Sequence, residues 1–102
     1  MAFTIEFVPS SKSDLDRLRP RERNSVLDAI EVHLRYEPKK ESKSRIKRLR
    51  RMKTPQYRLR VDEVRVYYDV HESIVEILAI VSKPQAAEWL TQWGIPLNEG
   101  QE

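Results

Sequence analysis

Residues 56–70 leave this chain least freedom. Tyr57, Leu59, Val61, Val64, Val66, Tyr68 and Val70 alternate with Arg58, Arg60, Arg65 and Tyr67 on either side of Asp62-Glu63. Strict alternation around a two-residue break predicts two antiparallel strands, because successive side chains of a strand point to opposite faces. The register that follows sets Val61 against Val64, Arg60 against Arg65, Leu59 against Val66 and Arg58 against Tyr67. Asp-Glu is not the Asn-Gly or Asp-Gly pair that a type I′ turn favours, so the turn type stays open. A slip of one residue carries the arginines into the core, which makes the register firm. One face of this ribbon therefore needs apolar cover, and the other needs solvent or anions.

The flanking sequence supplies the cover. Phe3, Ile5 and Phe7 alternate with Thr4 and Glu6, an opening strand that Pro9 ends. Ser11 with Asp14 three residues on reads as a capping-box variant at the start of a short helix carrying Leu15 and Leu18. Pro20 stops that helix and starts a second over about residues 20–36. There Val26, Leu27, Ile30 and Leu34 form one stripe, and Arg21, Arg23, Asp28, Glu31 and Arg35 form the wet side. After the ribbon, residues 74–81 are nearly all apolar and predict a central strand covered on both sides. Ser82 and Pro84 open a last helix that ends at Gly94. The predicted fold is α+β: an N-terminal strand, a helical hairpin packed on an antiparallel sheet of about four strands, and a short C-terminal helix. Residues 1–94 form a single domain, and 95–102 are expected as a loose tail.

Charge is concentrated before the ribbon. Residues 39–60 hold eleven of the nineteen Lys and Arg but one of the sixteen acids, a net +10; the other 80 residues carry eight bases against fifteen acids, a net −7. The overall +3 hides this polarity, whose natural complement is a polyanion or an acidic protein. Within residues 39–53 only Ile46, Leu49 and Met52 are apolar, and their spacing suggests a helical turn or a 3₁₀ stretch pinned to the core. The chain has no Cys, which excludes disulfides and thiolate zinc sites and fits a reducing cytoplasm. Neither a signal-peptide pattern nor an apolar run of membrane-spanning length is expected.

Few residues are candidates for chemistry. Arg58, Arg60 and Arg65 on one face repel one another unless they are solvated, paired with Glu76 or Asp69, or matched by phosphate. Arginine's planar fork suits phosphate oxygens, and Tyr67 adds an aromatic surface among them. Both the solvated face and the nucleic-acid surface are open readings. Lys43, Arg45, Lys47, Arg48, Arg50, Arg51 and Lys53 extend the positive surface. His33 and His71 lie far apart without carboxylates at ligand spacing and read as surface or packing residues; no metal site and no cofactor are expected. The two glycines, Gly94 and Gly100, cannot make a phosphate loop. Trp89 and Trp93 read as a packing or docking face rather than a base-stacking platform. The reaction that needs the fewest special residues is RNA cleavage by its own 2′-OH, in which the protein orients the phosphate and stabilises developing charge.

The strings Tyr57-Arg58-Leu59-Arg60-Val61, Arg65-Val66-Tyr67-Tyr68-Asp69-Val70 and Val75-Glu76-Ile77-Leu78-Ala79-Ile80-Val81 resemble the RelE/ParE family of bacterial toxin–antitoxin toxins. Leu49-Arg50-Arg51-Met52 is similar to the family's Leu-Arg/Lys-Gly stretch, with Arg51 where Gly is usual. The opening strand and helical hairpin also match, so the resemblance covers about residues 3–90. It implies a cytoplasmic toxin neutralised by a cognate antitoxin, with room for a heterotetramer or larger complex and no membrane partner. RelE-like members cut mRNA in the ribosomal A site and inhibit translation; ParE-like members inhibit DNA gyrase without being nucleases. A third outcome is a member that has lost toxicity and serves in regulation.

Carried over residue by residue, the RelE-type basic positions fall on Arg58 and Arg60, and the phosphate-contacting arginine falls on Arg65. Those three are the expected catalytic residues, with Lys43, Arg45, Lys47, Arg48, Arg50, Arg51, Lys53 and Tyr67 expected to bind RNA and ribosome. The family's following Arg and Tyr fall on Pro84 and Leu90, with Trp89 adjacent. The usual C-terminal acid/base apparatus is thus absent, which leaves three outcomes: slower cleavage, replacement by another group such as Tyr67, Tyr68, Lys47 or Lys53, or a chain that is not a nuclease.

Overall fold

A computed structural model describes residues 1–98. The elements in order are β1 (Thr4–Phe7), α1 (Pro9–Arg17), α2 (Pro20–Leu34), β2 (Ile46–Arg48), β3 (Met52–Thr54), β4 (Tyr57–Val61), β5 (Val64–His71), β6 (Ile74–Ser82), α3 (Lys83–Trp93) and β7 (Ile95–Pro96). Five strands form one sheet in the order β1-β6-β5-β4-β2; β1 runs parallel to β6 and the other pairs are antiparallel. β3 and β7 make a separate two-stranded sheet. The fold is α+β, as the alternation predicts, with five strands in the main sheet rather than four.

The β4–β5 register is the one read from the sequence, with Val61 opposite Val64 and Arg58 opposite Tyr67. Leu59, Val66, Tyr68, Val75 and Ile77 are fully buried against Leu15, Val26, Ile30 and Leu34 of the helical hairpin. Tyr68 donates its hydroxyl to the Pro38 carbonyl (2.7 Å), so the phenol costs the core no unmet hydrogen bond. α3 packs on the opposite face of the sheet, where Tyr67, Ala79 and Ala86 make a second, smaller core. β6 is thus covered on both faces along Ala79 and Ile80. Both two-residue turns place their first residue, Asp62 (φ 53°) and Glu72 (φ 51°), in the left-handed region.

Three local expectations are corrected. Residues 46–54 are not helical: Ile46–Arg48 pairs with β4, the chain turns at Arg50-Arg51, and Met52–Thr54 leads out. A helix there would set Lys43 against Lys47 and Lys47 against Arg51 at i,i+4, where like charges destabilise; strand geometry separates them. Ser11 is not a cap. Pro9 opens α1, and Ser11 lies buried inside the first turn with its Oγ donating to the Val8 carbonyl (2.8 Å). The expected loose tail is anchored at its start, because Ile95 and Pro96 pair with Thr54 and Met52; residues 99–102 lie outside the described residues. Gly94 permits that approach, since a Cβ there would meet Met52 Cε at 2.5 Å and the Leu90 carbonyl oxygen at 2.6 Å.

Candidate functional site: a cationic recess on the sheet edge

β2 and β4 bring the basic run and the arginine ribbon together. Lys47 lies opposite Arg58, and Arg60 lies opposite Arg65, so these four share one face. Lys43, Arg45, Lys47, Arg58 and Arg60 line a recess of about 300 Å³ with Ser42, Ser44 and Ile46, and Glu41 is the one acid among the described residues that line it. Glu41 is already engaged: it accepts the Arg48 N–H (3.0 Å) and the Arg50 guanidinium (2.8 Å). The Arg48 N–H, with the Arg50 and Arg48 charges behind it, holds that carboxylate below its ordinary value.

The two carboxylates that the sequence offered to these arginines point elsewhere, while Arg60 itself stays open to solvent. Asp69 is buried and accepts from Thr54 Oγ1 (2.6 Å) and the Gln56 N–H (2.7 Å). Glu76 lies beside His71 Nε2 (3.2 Å), a pairing that the sequence spacing did not reveal. Lys47, Arg58 and Arg60 have no carboxylate partner among the described residues. Arg58 Nε is buried without a hydrogen bond, as is Arg23 Nε on α2.

Arg65 differs from the expectation of an exposed side chain. It is 6% exposed, and its guanidinium donates to the carbonyls of Asp62 (2.8 Å) and Val64 (3.1 Å), bracing the β4–β5 turn. Burial, then the charges of Arg58 and Arg60, hold its pKa below the ordinary value. Tyr67 is 1% exposed and stacks on Trp89 of α3, with ring centroids 5.0 Å apart and planes 7° from parallel. It is therefore closed to a nucleobase, and burial pushes its phenol up, leaving it protonated at neutral pH.

The remaining basic residues divide. Arg48 turns to the other face, stacks 5.2 Å over the Tyr57 ring and donates to the Gln56 carbonyl (2.7 Å), which makes it a part of the scaffold. Lys47, Arg50 and Arg51 line a neighbouring recess of about 570 Å³ beside Leu49 and Met52. Lys53 is exposed on β3. Pro84 is exposed at the start of α3, whereas Leu90 packs on the Tyr67 cluster. Asp69, His71 and Glu76 bring ligand atoms within 4.8 Å of one another, but both Asp69 oxygens already accept hydrogen bonds from the protein. Among the described residues no helix is long and apolar enough to cross a membrane.

The architecture defines a class: a helical hairpin on one face of a mostly antiparallel sheet, a C-terminal helix on the other, and a cationic recess at the sheet edge. Solved structures place it further. The chain is similar to a chain of the RelBE2 toxin–antitoxin complex from Mycobacterium tuberculosis, with TM-score 0.65 and 25% identity over 80% of this chain and 99% of that one. It also matches a chain of the archaeal RelE–RelB complex from Pyrococcus horikoshii (TM-score 0.59, 20% identity, 81% and 97% covered). A chain of the RelB–RelE antitoxin–toxin complex from Methanococcus jannaschii matches as well (TM-score 0.59, 16% identity, 82% and 96% covered). The sequence matches no protein-family model and no curated protein. The chain has the RelE-family toxin fold.

Proposed function

We propose that the chain is the toxin of a type II toxin–antitoxin pair and acts as a RelE-like endoribonuclease on ribosome-bound mRNA, inhibiting translation until a cognate antitoxin neutralises it. The observation that carries this reading is the recess where Lys43, Arg45, Lys47, Arg58 and Arg60 converge around one committed acid. Five cations held in a shallow pocket suit an RNA backbone, where Lys and Arg gain by releasing condensed counterions. Arg58 and Arg60 contact the phosphate in this reading. Arg65 acts as a positioning residue, since its hydrogen bonds brace the turn and its charge adds to theirs. The substrate 2′-OH is the nucleophile: it gives its proton to solvent as it attacks the adjacent phosphorus, the 5′ oxygen leaves and takes up a proton to become a hydroxyl, and a 2′,3′-cyclic phosphate remains. Cationic stabilisation of that transition state is worth about 10²–10³ in rate where a single donor has been removed from comparable sites.

A ParE-like toxin that blocks gyrase by protein contact is the second reading. It is favoured by Pro84 and Leu90 at the positions where the resemblance implies a proton-transferring pair, and by Tyr67 being sealed under Trp89. Inducing the chain in cells and mapping mRNA 5′ ends separates the two. The nuclease reading predicts growth arrest with new 5′ ends inside coding regions, abolished by Arg58→Ala/Arg60→Ala and by co-expressed antitoxin. Growth arrest with intact mRNA and lost supercoiling gives the result to the gyrase reading.

A further inference from the structure

Lys47 belongs to two recesses at once. It lines the cationic one with Arg58 and Arg60, and the larger neighbouring one with Leu49 and Met52. Among the described residues the two linings share one other member, Glu41, whose carboxylate is held by the Arg48 N–H and the Arg50 guanidinium. Sheet pairing fixes where Lys47 stands. Arg60 donates its N–H to the Arg45 carbonyl (2.9 Å), and Leu49 donates to the Gln56 carbonyl (2.8 Å). Hydrogen-bonded pairs recur at every second position of an antiparallel ladder, so Lys47 and Arg58 form one of them, with Cα atoms about 5.5 Å apart and side chains on one face.

An RNA strand that sets one phosphate against Arg58 and Arg60 carries a nucleoside on each side of it. The neighbouring recess, about 570 Å³ with the apolar side chains of Leu49 and Met52 in its wall, has the size and lining to receive one of them. The oxygen that bridges this nucleoside to the phosphate then falls between the two recesses, beside Lys47. An ammonium has protons to give and no lone pair to take one. The bridging oxygen it can serve is therefore the one that leaves.

The other groups that could supply a proton fall away. A guanidinium does not release its proton in a protein, which leaves Arg45, Arg58 and Arg60 as charges only. Tyr67 and Tyr68 are buried, Lys53 lines neither recess, and Lys43 lies on the bend before β2, outside the paired strand. We propose that Lys47 is the general acid of the cleavage, its ammonium protonating the 5′ oxygen as the P–O5′ bond breaks. The electron pair of that bond goes to the oxygen, and a Lys47 proton makes it a hydroxyl. Lys47 is exposed, so its neutral amine takes a proton back from water. This assignment rests on the nuclease reading above, and it places the leaving nucleoside in the Leu49–Met52 recess.

The test measures single-turnover cleavage on programmed ribosomes with two mRNAs, one ordinary and one carrying sulfur in place of the leaving 5′ oxygen. A leaving thiolate needs no proton, because thiols are far stronger acids than alcohols. Lys47→Gln is expected to cut the ordinary mRNA about 10² or more times slower, and to cut the sulfur-linked one at close to the wild-type rate. Lys47→Arg keeps the charge without a proton to release and is expected to behave as Lys47→Gln does, whereas Arg58→Ala is expected to be slow on both. Lys47 variants slowed equally on both mRNAs, or not slowed on the ordinary one, overturn the proposal and leave the nuclease reading standing. A wild-type chain that does not cut the ordinary mRNA overturns both.

Discussion

Arg65 shows how a single residue can carry a site's charge and a turn's stability together. Its guanidinium binds two backbone carbonyls at the β4–β5 turn while two arginines press on it from the same face. Removing it loses hydrogen bonds from a charged group, worth about 1.5–3 kcal/mol, and relieves like-charge repulsion that offsets a part. Arg65→Ala is expected to lower stability by about 1 kcal/mol in denaturant titration, and an unchanged midpoint would contradict the bracing role. Activity lost in that variant therefore reports fold and chemistry together, which makes Arg58 and Arg60 the cleaner probes. His33 offers a pH readout at the same scale. Burial, then the Arg45 charge, hold its pKa below 6.5. As pH falls through 6.5 the unfolded chain takes up the proton first, so stability declines until the lowered folded value is reached. His33→Gln should flatten Tm against pH between about 7 and 5, and a slope equal to the wild type's counts against the assignment.

At the scale of elements, the sheet was legible wherever side-chain alternation was strict. The β4–β5 register and the α2 stripe of Val26, Ile30 and Leu34 follow from periodicity alone, because burial on one face dictates it. β2 and β3 were not legible, since three apolar residues among many charges fit more than one geometry; their hydrogen bonds come from β4 and β7, which local sequence does not announce. The Asp69 corner was hidden for the same reason. Its carboxylate reaches thirteen and fifteen residues back, to Gln56 N and Thr54 Oγ1, and ties the β3–β4 connection to β5. Gln56 Oε1 returns a bond by accepting the Val70 N–H (2.9 Å). Asp69→Ala leaves the half-buried Thr54 hydroxyl and the Gln56 N–H without their partner, and about 2 kcal/mol should be lost. Thermal melts of this variant decide it; a Tm at the wild-type value would mean that water replaces the carboxylate without cost.

Across the whole molecule, the polarity read from composition becomes a geometry. The positive run wraps the β2–β4 edge, and an apolar groove between α1 and α3 lies on the β6 side of the sheet. Arg58 and Arg60 could be placed on one face from the sequence. The burial of Tyr67 could not, because it depends on Trp89 of α3 settling over its ring, and that of Arg65 could not, because its guanidinium folds back onto the carbonyls of the β4–β5 turn. In the proposed reaction neither tyrosine position serves proton transfer, because Tyr67 is sealed with its pKa raised and Leu90 packs where the resemblance places a tyrosine. A reaction run on cationic stabilisation and substrate positioning depends steeply on the recess. Ribosome-dependent cleavage of a defined mRNA in a purified translation system tests this most directly. Wild-type chain is expected to cut within the ribosome-bound codon, and Arg58→Ala is expected to cut about 10² or more times slower with its fold intact. Equal cleavage by that variant, or no cleavage by the wild type on programmed ribosomes, would contradict a catalytic cationic recess.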